Sequence, residues 1–286
     1  LEFKAPNSDL IEMVSEIKRL PEVQSVEFNY KMEAFLVPND NYYNDQWALN
    51  NTGQAISYNG NSVGTPGCDV DAERAWNITT GNPNVVIANL DTGIDLDHPD
   101  LVSELVGGYD FVNNDSNAND GNMHGTACGS IAAGTTNNGI GVAGVCWDCS
   151  LMPVKVLSDQ GSGDFSDIIN GVVWASDNGA NVISMSLGGG GYQNSFDNAV
   201  TYAHDNGTIV IAASGNDNGS ISYPAAYEDC VSVGAMSPCN ERKSPSSCDG
   251  ENFWGSNYGN GLDFVAPGVR IHSATIGGYT STFNGT

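Results

Sequence analysis

The chain has 286 residues, with nine Lys and Arg against 34 Asp and Glu, which gives a formal net charge of −25. So acidic a protein repels nucleic acids and anionic lipids, and it attracts cations. No stretch approaches the ~20 apolar residues that a membrane-spanning helix needs. The length favours one large domain with a small appendage, and it is sufficient to bury most of the apolar surface without disulfide bonds.

The first 37 residues predict the small appendage. Apolar residues recur at helical spacing between residues 8 and 20, which predicts an amphipathic helix that Pro21 ends. Alternating apolar residues then predict a strand over residues 26–30. We therefore place a domain boundary between residues 37 and 38.

From residue 38 onward, apolar strand patterns alternate with helical patterns. Such alternation predicts an α/β fold with a central parallel sheet and right-handed crossovers. The predicted strands cover residues 85–90, 150–157, 181–187 and 208–213, and the predicted helices cover residues 124–134, 165–178 and 193–206.

Two residues in this pattern are candidates for catalysis. Asp91 follows the strand 85–90, and active sites of open parallel sheets lie at the carboxyl ends of strands. His124 opens a run of small residues that predicts a tightly packed helix with the imidazole in its first turn. An acid that orients an imidazole, and an imidazole that takes a proton from a hydroxyl, form two thirds of a serine hydrolase triad.

Metal-dependent hydrolysis is an alternative, because Asp95, Asp97 and His98 are potential ligands beside Asp91 and His124. However, the spacing matches no two-histidine motif such as His-Glu-x-x-His, and the acids cluster in one turn. We therefore prefer the triad.

The seven cysteines permit disulfide bonds. Cys239 and Cys248 flank a polar loop, which suits a surface disulfide in an exported protein. Cys146 and Cys149 have the spacing of a zinc knuckle, but no second pair with ligand spacing accompanies them. We prefer disulfides to a metal site or free thiols, expect Cys128 to be the odd thiol, and predict a secreted protein.

Several motifs, in order, resemble those of the subtilisin-like serine proteases. They occupy residues 91–95, 124–126, 186–189, 213–216 and 266–268. Residues 284–286, Asn-Gly-Thr, look like the lead-in to a Gly-Thr-Ser motif. The resemblance thus implies that the nucleophilic serine comes next and that the chain is a fragment ending just before it. The order Asp, His, Ser is also that of subtilisin.

The resemblance implies a subtilisin-like three-layer αβα fold for residues 38–286, truncated at its C-terminus. Residues 1–37 resemble the C-terminal part of a propeptide, an intramolecular inhibitor that places residues 32–37 in the substrate cleft. The implied activity is that of a secreted, monomeric serine endopeptidase that cleaves polypeptides, with neither nucleic acid nor membrane as a partner. The fragment, lacking the serine, is expected to be inactive by itself.

The same resemblance assigns further site residues. Asn216 would donate a hydrogen bond to the oxyanion. An extended peptide would pair with two strand edges. The residues of these edges are Gly161, Ser162, Gly163, Ser186, Leu187, Gly188 and Gly189.

Two structural calcium sites are predicted. The loop 110–119 spaces side-chain oxygens as a hard cation requires, and both this loop and the loop 137–142 resemble calcium loops of the family. The first site would use Asp40, Asp100, Thr136, Asn138, Ile140 and Val142. The second would use Asp110, Asp115, Asn117 and Asn119, with Asp120 as an extra carboxylate. A hydrogen-bonded polar loop without metal is the alternative for each.

Two other functions stay open at this point. The chain could belong to a pseudoprotease that binds peptides or calcium without catalysis. Residues 1–37 could also act in trans as an inhibitor module.

Overall fold

The computed structural model describes residues 7–28, 36–56 and 64–286. The chain forms two compact units, Leu1–Phe35 and Leu36–Thr286. In the first unit, α1 spans Asn7–Ile17, so it begins one residue before the predicted helix 8–20 and ends three residues earlier. Residues 26–28 form no strand, and the rest of the predicted strand and residues 32–35 lie outside the described residues. None of the described helices is long and apolar enough to span a bilayer.

The second unit contains a central sheet flanked by helices. Each predicted helix and strand of this unit is present, with ends within two residues of the prediction. In chain order the elements are a 3-10 helix Tyr43–Asp45, α2 Ala72–Trp76, β1 Val86–Asp91, β2 Tyr109–Asp110, α3 His124–Ala133, β3 Ser150–Lys155, α4 Phe165–Asp177, β4 Val182–Met185, α5 Asn194–Asp205, β5 Ile209–Ala213, β6 Cys230–Ser237, β7 Glu241–Arg242, β8 Phe264–Pro267, β9 Ile271–Thr275 and β10 Gly278–Phe283.

The main sheet has the strand order β2-β3-β1-β4-β5-β6-β7, and β8 also pairs with β6. All of these pairs are parallel except β6 with β7. β9 and β10 form a separate antiparallel hairpin. Because β1, β3, β4 and β5 are parallel neighbours, their carboxyl ends lie at one edge of the sheet. Asp91, the last residue of β1, therefore lies at this edge, level with Lys155 of β3.

Helices cover both faces of the sheet. On one face, Leu90 packs in a core with Val172 of α4 and Phe196 of α5. On the other face, Leu151 packs with Ala133 of α3 and with Ala274 of β9. The predicted three-layer αβα arrangement is confirmed.

Small residues allow α3 to lie very close to the end of β1. A Cβ atom at Gly125 would collide with the carbonyl oxygen of Gly93, and one at Gly129 would lie 2.5 Å from Cδ1 of Ile94. The small-residue run thus brings the first turn of α3, and with it His124, against the edge where Asp91 lies.

Candidate active site

Asp91 and His124, 33 residues apart, are joined by a hydrogen bond of 2.7 Å between Oδ1 of Asp91 and Nδ1 of His124. Asp91 is fully buried, whereas the His124 side chain is 36% exposed. Since Nδ1 donates to the carboxylate, Nε2 is left to accept a proton from a neighbouring group. The pairing predicted from the sequence is therefore present, and its exposed side faces the cavities described below.

The surroundings of the pair favour a charged imidazole. Burial acts to lower the pKa of His124, but the hydrogen bond to Asp91 and the contact with Cys128 Sγ at 3.9 Å raise it above its ordinary value. The Asp91 carboxylate also accepts a hydrogen bond of 2.7 Å from the backbone N–H of Thr92. An acid that is buried and held in place in this way stabilises an imidazolium that forms beside it.

Asn216 lies three residues beyond the end of β5, close to the last residues of the chain. Thr286 Oγ1 donates to Asn216 Oδ1 at 3.2 Å, and Gly215 N donates to Thr286 Oγ1 at 3.1 Å. His124 is in ring contact with Phe283, their centroids 5.3 Å apart. Asn216, His124 and Thr286 line the same cavity of about 680 Å³. The structure thus brings the predicted oxyanion donor to the same cavity as the acid–histidine pair.

That larger cavity extends from the site along one face of the sheet and is mostly apolar. Ile87 of β1, Val182 of β4 and Ile211 of β5 contribute the sheet face, and Ile131 of α3 lies among the other lining residues. A wide apolar surface therefore adjoins the Asn-Gly-Thr segment.

A second cavity, of about 540 Å³, is a cleft on the other side of His124. The predicted substrate-binding residues at 161–163 and at 186–189 all line this cleft. Both segments are thus brought together beside the imidazole, as the interpretation of two substrate-pairing edges requires.

The sequence reasoning missed the apolar wall of the cleft. Leu157, Phe165, Ile168 and Phe196 line it, and the rings of Phe165 and Phe196 meet with centroids 6.2 Å apart. The available signal was Phe165, a large apolar residue at the start of a helix, which remains 40% exposed. Phe165 lines the same cleft as the two segments already identified.

The first predicted calcium loop places two buried carboxylates together, those of Asp40 and Asp100. Asn137 N donates to Asp40 Oδ2 at 2.8 Å, whereas Asp40 Oδ1 is buried without any hydrogen-bond partner. Asn138 Nδ2 and Val142 N donate to the two oxygens of Asp100 at 2.7 and 2.8 Å. An unpartnered oxygen beside a second buried carboxylate fits a hard cation.

Burial raises the pKa of both acids, and the charge of Asp40 further raises that of Asp100. Thr136, Ile140 and Val142, the other predicted ligands, lie in the loop that closes over the two acids. Ile140 N donates to Asn138 Oδ1 at 2.9 Å, so this amide oxygen already has one partner.

In the second predicted calcium loop, side-chain oxygens of three of the predicted ligands accept hydrogen bonds from the protein itself. Both oxygens of Asp110 accept from Asn113, at 2.8 Å from its backbone N and at 2.9 Å from Nδ2. Asn117 N donates to Asp115 Oδ1 at 2.8 Å, and Asn119 Oδ1 accepts from a backbone N–H at 3.2 Å. This loop corresponds more closely to the alternative of a hydrogen-bonded polar loop.

The metal-hydrolysis alternative finds little support in the geometry. His98 is held away from His124, with Nε2 donating to Gly278 O at 3.0 Å and Nδ1 accepting from Asp100 N at 3.1 Å. In the part of the chain that the structure describes, the one group of three His, Cys or acidic ligands within mutual reach is Asp91, His124 and Cys128.

The cysteines form two disulfides, Cys146–Cys149 and the predicted Cys239–Cys248. The first pair, which has the spacing of a zinc knuckle, thus forms a disulfide across a short loop. Cys128 is a free thiol as predicted, and Cys68 and Cys230 are also free and buried.

A three-layer α/β fold with a buried acid and a histidine at the carboxyl end of its parallel strands defines the class of proteins built on the subtilisin plan. A sequence profile described as "Subtilase family" matches residues 82–286. The chain belongs to the subtilase family.

Among curated relatives, the chain is 37% identical over 275 residues to "Thermophilic serine proteinase" of Bacillus sp. (strain AK1), covering 96% of this chain and 62% of the relative. It is 39% identical over 262 residues to "Halolysin-like extracellular serine protease Nep" of Natrialba magadii, covering 88% of this chain and 43% of the relative. The chain thus spans about half the length of these two relatives.

Among solved structures, the fold is similar to that of "Proteases from Pseudoalteromonas arctica PAMC 21717", with a TM-score of 0.71 and 31% sequence identity. The match covers 87% of this chain and 79% of the other.

Proposed function

We propose that the full-length protein is a serine endopeptidase that hydrolyses peptide bonds in polypeptides through an acyl-enzyme intermediate. The observation that carries this proposal is the 2.7 Å hydrogen bond between Asp91 and His124 beside the cleft. Membership of the subtilase family, and relatives whose descriptions name them serine proteases, support it.

In the proposed mechanism, a serine that directly follows Thr286 attacks the carbonyl carbon of the cleaved bond. His124 Nε2 takes the hydroxyl proton and later gives it to the leaving amine, while Asp91 remains ionised and stabilises the imidazolium. Asn216 Nδ2 and the backbone N–H of the serine donate to the oxyanion. Water, activated by His124, then releases the acyl group. Residues 1–286 do not include this serine, so by themselves they are proposed to be inactive.

The proposed substrate is an extended polypeptide that pairs through its main chain with the segments 161–163 and 186–189. Main-chain pairing is insensitive to side chains, so it gives broad specificity. The apolar wall around Phe165 and Phe196 accommodates one apolar side chain of the substrate. The preference is therefore for sequences with an apolar residue at that position.

A calcium ion is proposed as a structural cofactor at Asp40 and Asp100. Asp40 Oδ1 would bind it directly, together with an oxygen of Asp100 and oxygens of the loop 136–142. Its charge would offset the repulsion between the two buried carboxylates. The donor set of the second loop supports a second ion less well.

Residues 1–37 are proposed to be the C-terminal part of a propeptide that inhibits the catalytic domain. The amphipathic helix α1 in a separate compact unit supports this proposal. Secretion of the mature protein as a monomer is also proposed. Two disulfides support export, and so does a relative described as extracellular.

The test is to express the full coding sequence and residues 1–286 side by side, and to assay each with casein and with a fluorophosphonate that labels activated serines. We expect hydrolysis and labelling for the full-length protein only. A full-length protein with Ala or Gly at position 287 and no hydrolysis would instead support the pseudoprotease alternative. Hydrolysis by residues 1–286 would refute the assignment of the nucleophile.

A further inference from the structure

Asp120 is a buried carboxylate four residues before His124, in the loop that leads into α3. Its Oδ1 accepts from Thr92 Oγ1 at 2.9 Å, from Asn122 N at 2.8 Å and from Met123 N at 3.1 Å. Its Oδ2 accepts from Thr126 Oγ1 at 2.6 Å and from Thr126 N at 3.0 Å. Five donors thus converge on one side chain, and in the described part of the chain it has no ion pair.

These donors come from both sides of the acid–histidine pair. Thr92 directly follows Asp91, and its backbone N–H also donates to the Asp91 carboxylate. Thr92 Oγ1 donates to Asp120 and accepts from Gly125 N at 2.9 Å, and Gly125 directly follows His124. Asp120 and Thr92 therefore connect the residue after the acid with the residue after the imidazole.

The residue just before His124 has an unusual backbone. Met123 adopts φ +95°, a conformation that side chains other than glycine rarely adopt. Its N–H donates to Asp120 Oδ1. A strained residue persists only where its surroundings hold it in place, and here the Asp120 carboxylate is one such restraint.

We propose that Asp120 is a positioning residue, which acts through Thr92, Met123 and Gly125 to hold His124 Nδ1 on the Asp91 carboxylate. The kinetic consequence rests on the proposed function, but the geometric consequence does not. An oxygen acceptor is needed at both positions of the Asp120 side chain, since every group facing it is a donor. An amide would present an NH₂ group to at least one of these donors.

The test is Asp120→Asn, with the His124 Nδ1 proton followed by NMR in protein with ¹⁵N-labelled histidine. In the wild-type protein we expect the far-downfield resonance of a proton shared with a carboxylate. In the variant we expect its loss or an upfield shift, with a lowered pKa of the imidazole. In the full-length protein kcat should fall on the order of 100-fold while KM stays within about twofold, because a small displacement of a catalytic group has that effect.

Asp249→Asn is the matched control. Asp249 is also fully buried, and it accepts from Lys243 Nζ at 2.8 Å, Ser247 Oγ at 2.6 Å and Glu251 N at 2.9 Å. We expect this variant to lose thermal stability but to keep the His124 resonance. If Asp120→Asn does the same, Asp120 is merely structural and the proposal is overturned.

Met123→Gly tests the proposed restraint separately. Glycine adopts a positive φ without strain, so this change in the Asp120→Asn background should restore the downfield resonance. A double variant as impaired as Asp120→Asn would contradict transmission through Met123.

Should Asp120→Asn not fold, Thr92→Val removes the same hydrogen-bonded bridge and should shift the His124 resonance. An unchanged resonance would count against the proposal. A wild-type protein that shows the resonance but no hydrolysis refutes the proposed function alone.

Discussion

Asp120 and the Asp40–Asp100 pair are buried to a similar extent, yet their surroundings differ. The exposed fraction is 2% for Asp120, 5% for Asp40 and 0% for Asp100. The Asp120 oxygens accept five hydrogen bonds from the protein, whereas Asp40 Oδ1 accepts none. A buried carboxylate oxygen without a donor is destabilising unless a positive group, such as a cation, approaches it.

The difference indicates two uses for buried acids in one domain. Around Asp120, beside the catalytic pair, the chain supplies donors to both carboxylate oxygens, so the position of this side chain is fixed without any ligand. In the first predicted calcium loop, burial raises the pKa of Asp40 and Asp100, and one oxygen of Asp40 has no donor. The first region should therefore govern rate, and the second should govern stability in a way that depends on calcium.

The largest effect should come from Asp91→Asn in the full-length protein. We expect kcat/KM to fall by about 10⁴-fold, because the neutral amide no longer stabilises the imidazolium or selects its tautomer. Asp91 raises the pKa of His124, so the variant should have a lower one. Since the base must be neutral to act, activity is lost as pH falls below this pKa, and the midpoint should move to lower pH in the variant.

The calcium-dependent part of the stability should be the same in Asp91→Asn as in the wild type. A variant that loses the calcium response together with its activity would show that the two regions are coupled. Profiles of kcat/KM against pH and melting curves with and without calcium provide both measurements.

A smaller loss of rate is expected from Asn216→Ala, which removes a donor rather than an acceptor near the acid–histidine pair. The expected fall in kcat is about 10²–10³-fold with little change in KM, the size measured for the oxyanion asparagine of subtilisin, a protein of the same family. The pKa of His124 should not change. Asn218→Ala, two residues along the same loop, is the control, and an equal loss there would remove the assignment of Asn216.

The sequence was sufficient for the acid–histidine pair for a physical reason. Parallel strands place their carboxyl ends at one edge, so a residue that ends an apolar strand has a predictable location. The small residues after His124 specify a close approach of α3, and Gly125 and Gly129 make that approach in the structure. Local patterns of this kind are read directly from a chain.

Side-chain partners that come from distant segments were not predictable in this way. Asp120 was interpreted as an extra carboxylate in a calcium loop, because nothing in the sequence indicates that Thr92 and Thr126 donate to it. Asn113 donates to both oxygens of Asp110, which spacing alone does not reveal. The apolar wall of the cleft was missed because Phe165 and Phe196 belong to different helices and meet only in the folded chain.

Calcium should raise stability by an amount that depends on Asp100. At free Ca²⁺ about 100 times its Kd, a site that binds only the folded state adds about 2.7 kcal/mol to the free energy of unfolding. Asp100→Asn should abolish this increment in melting curves that compare calcium with a chelator. Asp97→Asn, an exposed acid in the same turn, should keep it. An increment of equal size in Asp100→Asn and the wild type would exclude this site.

The smallest effect should come from Phe165→Ala, which changes the shape of the cleft without affecting either group of buried acids. Removing the ring enlarges the space beside Phe196 in the cleft. The kcat/KM of peptides with a large aromatic side chain should therefore rise relative to that of peptides with a small side chain. We expect the ratio of their kcat/KM values to change on the order of tenfold, in line with the limited discrimination of apolar pockets. A set of peptides varied at one position measures this ratio.

Phe253→Ala is the control for that change, because Phe253 is a more exposed aromatic residue, at 69%, and is absent from the lining of the cleft. Its peptide preference should equal that of the wild type. The pKa of His124 and the increase in stability on adding calcium should be unchanged in both variants. Phe165 is not a hydrogen-bond donor to Asp120 or to Asp40. If Phe165→Ala alters the calcium increment as well as the preference, the cleft and the calcium loop are not energetically separate, and the contrast between the two regions does not hold.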